Sequence, residues 1–213
     1  MNGLTVAVVG AGIVGRTLAA GWARAGHRVV LGSRQPDSDQ IRQALADTGA
    51  QRAARPVDAV TAADVTVLTV PGDQVADLVT TLGAGLRGRV VVDSTNSLHP
   101  DATALHSTDL LRAAGATGFR AFSTTGWEQM ARPVFGDERS DLPYAGPDTA
   151  ARATVARLVE DIGFRPVWLG DGPDALAITD SLTRLWFHLA FTQGWGRRLG
   201  WRLLTDQDDD PAG

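Results

Sequence analysis

Three glycines near the start of the chain have a spacing that suits phosphate binding. Six residues form the pattern G-x-G-x-x-G: Gly10, Ala11, Gly12, Ile13, Val14 and Gly15. The first glycine permits a tight turn, the second lets the backbone approach a pyrophosphate, and the third lets a helix pack closely on a strand. An apolar run precedes the pattern and a helical pattern follows it, which is the context that the motif requires. We predict that this glycine loop binds the diphosphate of a dinucleotide at a helix N-terminus.

The residues after the second predicted strand distinguish between the two nicotinamide cofactors. An NAD-binding protein normally places an acid there, about 20 residues beyond the glycines, to hold the ribose hydroxyls. This chain has Gly32, Ser33 and Arg34 instead. A hydroxyl and a guanidinium suit a 2′-phosphate, because the guanidinium provides charge-assisted hydrogen bonds and no carboxylate repels the phosphate. Ser33 and Arg34 therefore favour NADP(H), the alternative being a surface arginine at a helix start.

Two later strand ends carry small or polar residues. Val70 and Pro71 follow one apolar run, and Ser94, Thr95 and Asn96 follow the next. Ligands of open parallel sheets bind outside the carboxyl ends of the strands. We expect Val70 and Pro71 to pass under the nicotinamide-side ribose, and the three polar residues to contact ribose or carboxamide. Simple turn chemistry is the alternative for both segments.

The elements that must position these residues alternate between short apolar runs and helical spacing. The clearest strand patterns lie at residues 4–9, 28–31, 65–70 and 89–92. Their alternation with helical patterns predicts βαβ units and a parallel sheet. The expected fold class is α/β, a Rossmann doubly wound parallel sheet with a small helical C-terminal part.

The chain is expected to have three parts. They are a dinucleotide-binding Rossmann domain at residues 1–122, a smaller C-terminal α/β and long-helix region at residues 123–205, and a disordered acidic tail at residues 206–213. The tail is assigned from its run of aspartates. Within the second part, one long helix is expected from about residue 173 to residue 204, with Gly194 and Gly196 as candidate break points.

The composition excludes several kinds of chemistry and partner. The chain has no cysteine, so it has no disulfides or thiolate sites, and we predict no metal site. All 20 basic residues are arginine, which excludes mechanisms that need a catalytic lysine. The net charge of −4 argues against nucleic acid and anionic membranes as partners. With no signal peptide and no long apolar stretch visible, we expect a cytoplasmic protein.

Taken together, these segments resemble a known family. It comprises the NADPH-dependent reductases of the deazaflavin coenzyme, which are related to the cytosolic domain of the six-transmembrane metalloreductases. The matching segments are the glycine loop and residues 30–34, 68–71, 93–96, 121–124 and 145–146, followed by the C-terminal helix. The likeness covers nearly the whole chain and is most specific at the NADP end.

The resemblance implies one site for the cofactor phosphate and another for the second substrate. Ser33 and Arg34 would hold the 2′-phosphate of NADP(H). The second substrate would stack over the nicotinamide, walled by the C-terminal helix, against four residues: Ser123, Thr124, Thr125 and Trp127. A core aromatic under a loop is the alternative for Trp127.

Three functions remain open from the sequence. The first is hydride transfer between NADPH and a deazaflavin or flavin-like acceptor by ring stacking. This reaction needs the protein to position the two ring systems and needs little covalent catalysis from its side chains. The second is NADPH-dependent reduction of a pathway metabolite, such as an imine or a conjugated alkene. Ser123 favours it, because deazaflavin reductases tend to have a histidine at this position. The third is a non-catalytic NADP(H)-sensing module that binds a partner.

No residue is assigned as a catalytic acid or base. His99 and His106 lie near the predicted crevice, where solvated loop histidines are common. His188 lies on an apolar helix, so a core position is favoured over a catalytic one.

The last helix is apolar on nearly every side. Its apolar residues are Ile178, Leu182, Leu185, Trp186, Phe187, Leu189 and Phe191. A helix of this kind must be covered on both sides, which predicts a homodimer through the C-terminal helix.

Overall fold

The central feature of the computed structural model, which describes residues 3–96 and 107–206, is a six-stranded parallel sheet. In chain order its strands are β1 (Thr5–Val9), β2 (Arg28–Gly32), β3 (Arg52–Ala54), β4 (Val65–Leu68), β5 (Val90–Asp93) and β6 (Thr117–Arg120). Their spatial order is β3-β2-β1-β4-β5-β6, the order of a dinucleotide-binding Rossmann fold. The predicted fold class is therefore confirmed.

Helices connect the strands and cover both faces of the sheet. Within the described residues they are α1 (Ile13–Arg24), α2 (Asp39–Thr48), α3 (Pro56–Thr61), α4 (Val75–Leu82), α5 (Ser107–Ala113), α6 (Trp127–Ala131), α7 (Ala150–Ile162) and α8 (Pro173–Phe187). The β-branched and aliphatic residues of β1 and β4 are buried because helices cover them on both sides. Leu18 and Trp22 form the buried stripe of α1 that packs on the sheet.

The C-terminal part adds two small pairs of strands beside β6. A hairpin joins β7 (Val134–Phe135) to β8 (Glu138–Arg139), and β9 (Asp141–Tyr144) pairs in parallel with β10 (Arg165–Trp168). An antiparallel bridge from Arg120 to Ala145 holds the β9 end against β6.

Both parts of the chain contribute to one hydrophobic core. Phe122 packs edge-on against Trp22 of α1 and against Phe164, which precedes β10. The domain boundary at residue 122 stays a prediction.

The C-terminal helical segment ends at the predicted break points, but its expected continuation to residue 204 was wrong. Helix α8 ends at Phe187, and a single π-helical turn continues to Thr192. Gly194 and Gly196 then adopt φ angles of +71° and +82°, which an α-helix does not permit. Residues 193–206 instead run back over the C-terminal part, where Trp201 bridges to Asp141 of β9.

Three short structural features were not predicted. Strand β3 has only three residues and none is β-branched, and helix α3 has six residues. The hairpin β7–β8 has two residues in each strand. Elements this short carry too few side chains to show a period, although Pro56 at the first turn of α3 is a recognisable start signal.

Some sequence predictions concern residues that the structure does not describe. His99, His106 and residues 207–213 of the acidic tail lie outside the described ranges. Within those ranges, no helix is long and apolar enough to cross a membrane. The cytoplasmic location stays a prediction.

Candidate active site

The predicted site residues lie along the carboxyl edge of the sheet, where hydrogen bonds connect one strand end to the next. The Gly10 amide donates to the Gly32 carbonyl (3.1 Å), which links the ends of β1 and β2. Thr69, after β4, donates its hydroxyl to the Gly10 carbonyl (2.8 Å). The Ser94 hydroxyl, after β5, donates to the Leu68 carbonyl (2.7 Å). The edge is thus a fixed rim on which a long ligand can lie across several strand ends.

The glycine loop owes its shape to very close backbone packing. A Cβ atom on Gly15 would lie 2.0 Å from the Gly10 carbonyl oxygen, and one on Gly10 would lie 2.9 Å from the Thr69 backbone. Gly10 also has a φ of +113°, which suits glycine. A Cβ on Gly12 would meet no atom within 4 Å, so this face of the loop is open. Arg16 Nε steadies the loop by donating to the Ala11 carbonyl (2.9 Å).

The first turn of α1 can receive an anion. Gly12 is the N-cap residue of α1, and no side chain caps this end of the helix. The first amide groups of an α-helix have no partner within the helix, and the helix dipole adds attraction for negative charge. The open position at Gly12 lies beside these amides, so the loop fits a diphosphate group.

Ser33 and Arg34 follow β2 directly. The Ser33 amide donates to the Ala54 carbonyl at the end of β3 (2.9 Å), and its hydroxyl oxygen accepts from the Gln35 amide (3.2 Å). Arg34 is exposed, and its guanidinium makes no hydrogen bond or ion pair with the described residues. A half-buried hydroxyl next to a guanidinium that has no ion-pair partner among the described residues fits a 2′-phosphate.

The polar segment after β5 is held rigidly. The Thr95 amide donates to Asp93 Oδ1 (2.9 Å), and both Ser94 and Thr95 are buried. Asn96 Nδ2 donates to the Ser123 carbonyl (3.0 Å), which joins this segment to the residues that follow β6. Val70 is half-buried and Pro71 is exposed at the end of β4.

The chain turns sharply after β6 to place Ser123, Thr124 and Thr125. Phe122 has a φ of +66° and is the non-glycine residue with a positive φ among those described. Such a backbone is strained by about 1 kcal/mol or more and persists only where packing enforces it. The edge-on contacts of Phe122 with Trp22 and Phe164 supply that packing.

Several polar atoms at this turn are buried without a hydrogen-bond partner in the described structure. They are Asn96 Oδ1, Ser123 Oγ and Thr124 Oγ1. Ser123 is 2% exposed and Thr124 is 0% exposed. An unsatisfied buried polar group costs about 1–3 kcal/mol, so these atoms need a partner, either water or a ligand.

The C-terminal residues cover this turn. Thr183 of α8 donates its hydroxyl to the Ser123 carbonyl (3.2 Å), and Trp201 Nε1 donates to the Thr124 carbonyl (2.9 Å). Arg197 forms an ion pair with Glu128 of α6 (2.8 Å). Trp127, the first residue of α6, is half-buried beside this cover. The C-terminal helix was predicted to form a wall here, but no pattern in the sequence indicates the hydrogen bonds from Thr183 and Trp201.

A buried cluster of charges beneath the site was also missed by the sequence analysis. Arg120, at the end of β6, contacts Asp93 Oδ2 of β5 (2.7 Å) and Asp180 Oδ1 of α8 (2.9 Å). It also approaches the Thr95 carbonyl (3.4 Å). These three charged side chains, which we call the Arg120 cluster, join β5, β6 and α8. No sequence motif marks the cluster, because its members are 27 and more residues apart.

Two titratable residues are placed away from the turn. His188 is exposed and contacts Gln193, so the favoured core position was wrong. Tyr144 lies in the main core, where burial raises its pKa, and the nearby Arg152 offsets only part of that effect. Tyr144 therefore keeps its proton at neutral pH. The described residues contain no group of three or more histidine, aspartate or glutamate side chains that could hold a metal ion.

A comparison with protein families identifies a match over the first five strands of the sheet. Residues 5–97 match the family described as NADP oxidoreductase coenzyme F420-dependent. This range runs from β1 to the polar segment after β5, and it includes the glycine loop, Ser33 and Arg34.

Solved structures with the same fold extend the likeness to the rest of the chain. A protein from Arthrobacter sp. FB24, provisionally described as an F420-dependent NADP-reductase, superposes with a TM-score of 0.81 at 24% identity, covering 95% of this chain and 100% of that one. A hypothetical protein, SMa0349 from Sinorhizobium meliloti, has 31% identity and a TM-score of 0.68, over 79% of this chain and 85% of that one. An imine reductase from Streptomyces aurantiacus has 22% identity and a TM-score of 0.70. The match covers 90% of this chain but only 64% of the imine reductase chain.

Proposed function

We propose, on the premise that residues 5–97 match the family of coenzyme F420-dependent NADP oxidoreductases, that the chain transfers a hydride between NADPH and a deazaflavin or flavin-like acceptor. The observation that carries the proposal is the rim itself. One sheet edge holds an open glycine loop after β1, an arginine without an ion-pair partner after β2 and, three strands beyond β1, buried hydroxyl groups without partners in the described structure. The third alternative, a non-catalytic sensing module, is set aside because the family consists of oxidoreductases.

Each part of NADP(H) has residues on the rim that fit it. The first amides of α1, next to Gly12, would bind the diphosphate, while Ser33 and Arg34 would bind the 2′-phosphate. Val70 and Pro71 would lie under the nicotinamide-side ribose. Ser94, Thr95 and Asn96 would contact ribose or carboxamide, with Asn96 Oδ1 still able to accept a hydrogen bond.

The residues after β6 would hold the acceptor. When bound, NADPH supplies the hydride, so the protein must bring two ring systems together and keep water out. Ser123 and Thr124 carry hydroxyl groups that can bond to a polar edge of the acceptor. Thr183 and Trp201 fix the carbonyls of this turn and shield it from solvent, and Trp127 stands beside them. The Thr125 hydroxyl donates a hydrogen bond to Gln129 Oε1 and so supports the turn.

Reduction of an imine or another pathway metabolite is the second candidate. Ser123 stands where deazaflavin reductases tend to have a histidine, and imine reductases occur among the proteins with this fold. This chain spans about 64% of the length of the Streptomyces aurantiacus enzyme, so that enzyme has further residues to build its substrate site.

A direct assay separates the candidates and tests the cofactor residues. We expect NADPH to reduce oxidised deazaflavin coenzyme in the presence of the protein, and NADH to do so at least about tenfold more slowly. Replacing Arg34 by alanine is expected to lower kcat/KM with NADPH by about 10–100-fold, because charge-assisted hydrogen bonds are worth about 1.5–3 kcal/mol each. Absorbance of the deazaflavin and of NADPH reports the reaction.

Arg28→Ala is the matched control for this assay. Arg28 lies at the amino end of the same strand, β2, and is also exposed. The Arg28→Ala variant should have the wild-type kcat/KM with NADPH and the wild-type rate with NADH. If NADPH binds but neither the deazaflavin coenzyme nor free FMN is reduced, the deazaflavin proposal fails, and a panel of cyclic imines becomes the next set of substrates.

Helix α8 has an apolar stripe that the rest of the described chain leaves uncovered. Ile178 and Leu185 are 46% and 43% exposed, and Leu182 and Leu189 continue the stripe at helical spacing. The opposite side of α8 carries the buried residues Thr179, Asp180 and Thr183 that face the body of the protein. We propose that a second copy of the chain covers the stripe, forming a homodimer beside the acceptor site.

The homodimer is tested by the mass in solution. We expect light scattering to give twice the mass of one chain for the wild type and the mass of one chain for Leu185→Arg, because a buried cation in an apolar interface has no counter-charge. Val57→Arg, on the exposed side of α3, is the control and should stay dimeric. A wild-type protein with the mass of one chain at micromolar concentration contradicts the proposal.

A further inference from the structure

We propose that Arg55 is a second cation for the 2′-phosphate of NADP(H), supplied from the neighbouring strand β3 and not from the loop after β2. The inference rests on the proposed placement of the 2′-phosphate at Ser33 and Arg34, and it names a residue that determines cofactor selectivity. It follows from the register of the two strands, the charges around them and the ligand chemistry.

The register places Arg55 next to Ser33. Strands β2 and β3 run in parallel with Gly32 opposite Ala54, and the Ser33 amide donates to the Ala54 carbonyl (2.9 Å). Arg55 is the next residue after Ala54, so it leaves the sheet at the same edge as Ser33 and Arg34. Neighbouring strands are about 4.8 Å apart, a distance that an arginine side chain spans easily.

Arg55 is uncommitted within the described structure. It is exposed, and its side chain forms no ion pair or hydrogen bond with the described residues. Arg55 is the N-cap residue of α3, but its side chain makes no capping hydrogen bond. Asp58, one turn into α3, is not paired with it. Arg34 and Arg55 follow adjacent strands and are both exposed, so a shared anion would offset the repulsion between their charges.

The other cations near this edge are already engaged. Arg42 of α2 contacts Asp39 and the Asp37 carbonyl, which folds its guanidinium back onto its own helix start. Arg16 of α1 donates to the Ala11 carbonyl and lies 3.8 Å from Asp47. Arg55 is therefore the cation that can join Arg34 at a phosphate dianion without breaking an existing contact. A phosphate monoester has three acceptor oxygens, enough for both guanidinium groups.

Binding of two small nucleotides tests this role without any acceptor. Adenosine 2′,5′-bisphosphate carries the 2′-phosphate, and 5′-AMP lacks it. For Arg55→Ala we expect affinity for the bisphosphate to fall about tenfold and affinity for 5′-AMP to change less than twofold, by calorimetry at low salt. Arg55→Lys should recover part of the loss. Arg52→Ala, at the other end of β3 and equally exposed, should change neither affinity.

The outcomes separate this inference from the proposed function. Equal losses for both nucleotides, or no loss for either, overturn the role of Arg55, provided that Arg34→Ala weakens the bisphosphate selectively. If the wild type does not distinguish the two nucleotides, and Arg34→Ala has no effect, the proposed 2′-phosphate site itself fails. Urea unfolding of Arg55→Ala should match the wild type, since the side chain makes no contact that the fold needs.

Discussion

Replacing Gly15 by alanine is expected to lower the free energy of unfolding by about 3 kcal/mol and to weaken NADPH binding on the order of 100-fold. The new Cβ would lie 2.0 Å from the Gly10 carbonyl oxygen and 2.6 Å from Thr69 Oγ1. Helix α1 must then move away from the glycine loop, because the nearest atom belongs to the backbone and cannot rotate aside. The movement breaks the bond from Thr69 to Gly10 and displaces the amides that would bind the diphosphate.

Gly12→Ala separates the effect on binding from the effect on folding. Gly12 has a φ of −72°, which alanine adopts without strain, and its new Cβ would meet no atom within 4 Å. We expect the free energy of unfolding to stay within about 1 kcal/mol of the wild type. NADPH affinity should nevertheless fall on the order of 100-fold, because the methyl group occupies the space where the diphosphate approaches.

Urea unfolding and NADPH fluorescence titration measure the two quantities independently. A Gly15→Ala protein of wild-type stability would show that α1 does not depend on its close approach to the loop. A Gly12→Ala protein that binds NADPH normally would show that the diphosphate lies elsewhere, and it would remove the basis for the cofactor placement.

Replacing Arg120 by methionine is expected to lower the free energy of unfolding by about 3–5 kcal/mol. Asp93 is fully buried and Asp180 nearly so, and Arg120 is the cation that both carboxylates share. Methionine keeps much of the side-chain volume but removes the positive charge, so two neighbouring buried carboxylates lose their common counter-charge. NADPH binding should weaken as well, because Arg120 also approaches the carbonyl of Thr95, a residue that we propose contacts ribose or carboxamide.

Arg112→Met is the matched control for this variant. Arg112 lies on α5 and pairs with Asp109 and Asp171, but all three side chains are at the surface. Surface ion pairs contribute little, so urea unfolding should show little or no change. A loss below about 1 kcal/mol for Arg120→Met would mean that other contacts satisfy the two carboxylates, and that the Arg120 cluster does not hold α8 to the sheet.

The amino-acid sequence by itself determined the glycine loop and the strand ends where we propose that the dinucleotide binds. Gly10, Gly12 and Gly15 lie within six residues, so their packing is decided locally by one strand, one turn and one helix. Ser33 and Arg34 follow the next strand directly. The alternation of apolar runs and helices then implied a parallel sheet, and parallel strands bring their carboxyl ends to one edge.

The sequence indicated the acceptor side less completely. It pointed to Ser123, Thr124 and Trp127 through a family resemblance. The positive φ of Phe122, which turns the chain there, is visible only once Trp22 and Phe164 are packed against it.

Tertiary structure alone decided the features that depend on distant residues. Arg120 meets Asp93 and Asp180 from two other elements, and Trp201 returns from the C-terminal segment to Thr124. Arg55 lies next to Ser33 at the carboxyl edge of the sheet only because the short strand β3 pairs with β2 in a definite register. Local patterns report the periodicity of one element and its caps. Which elements pair depends on the burial and hydrogen bonding that distant segments gain together, so the sequence of one segment does not show it.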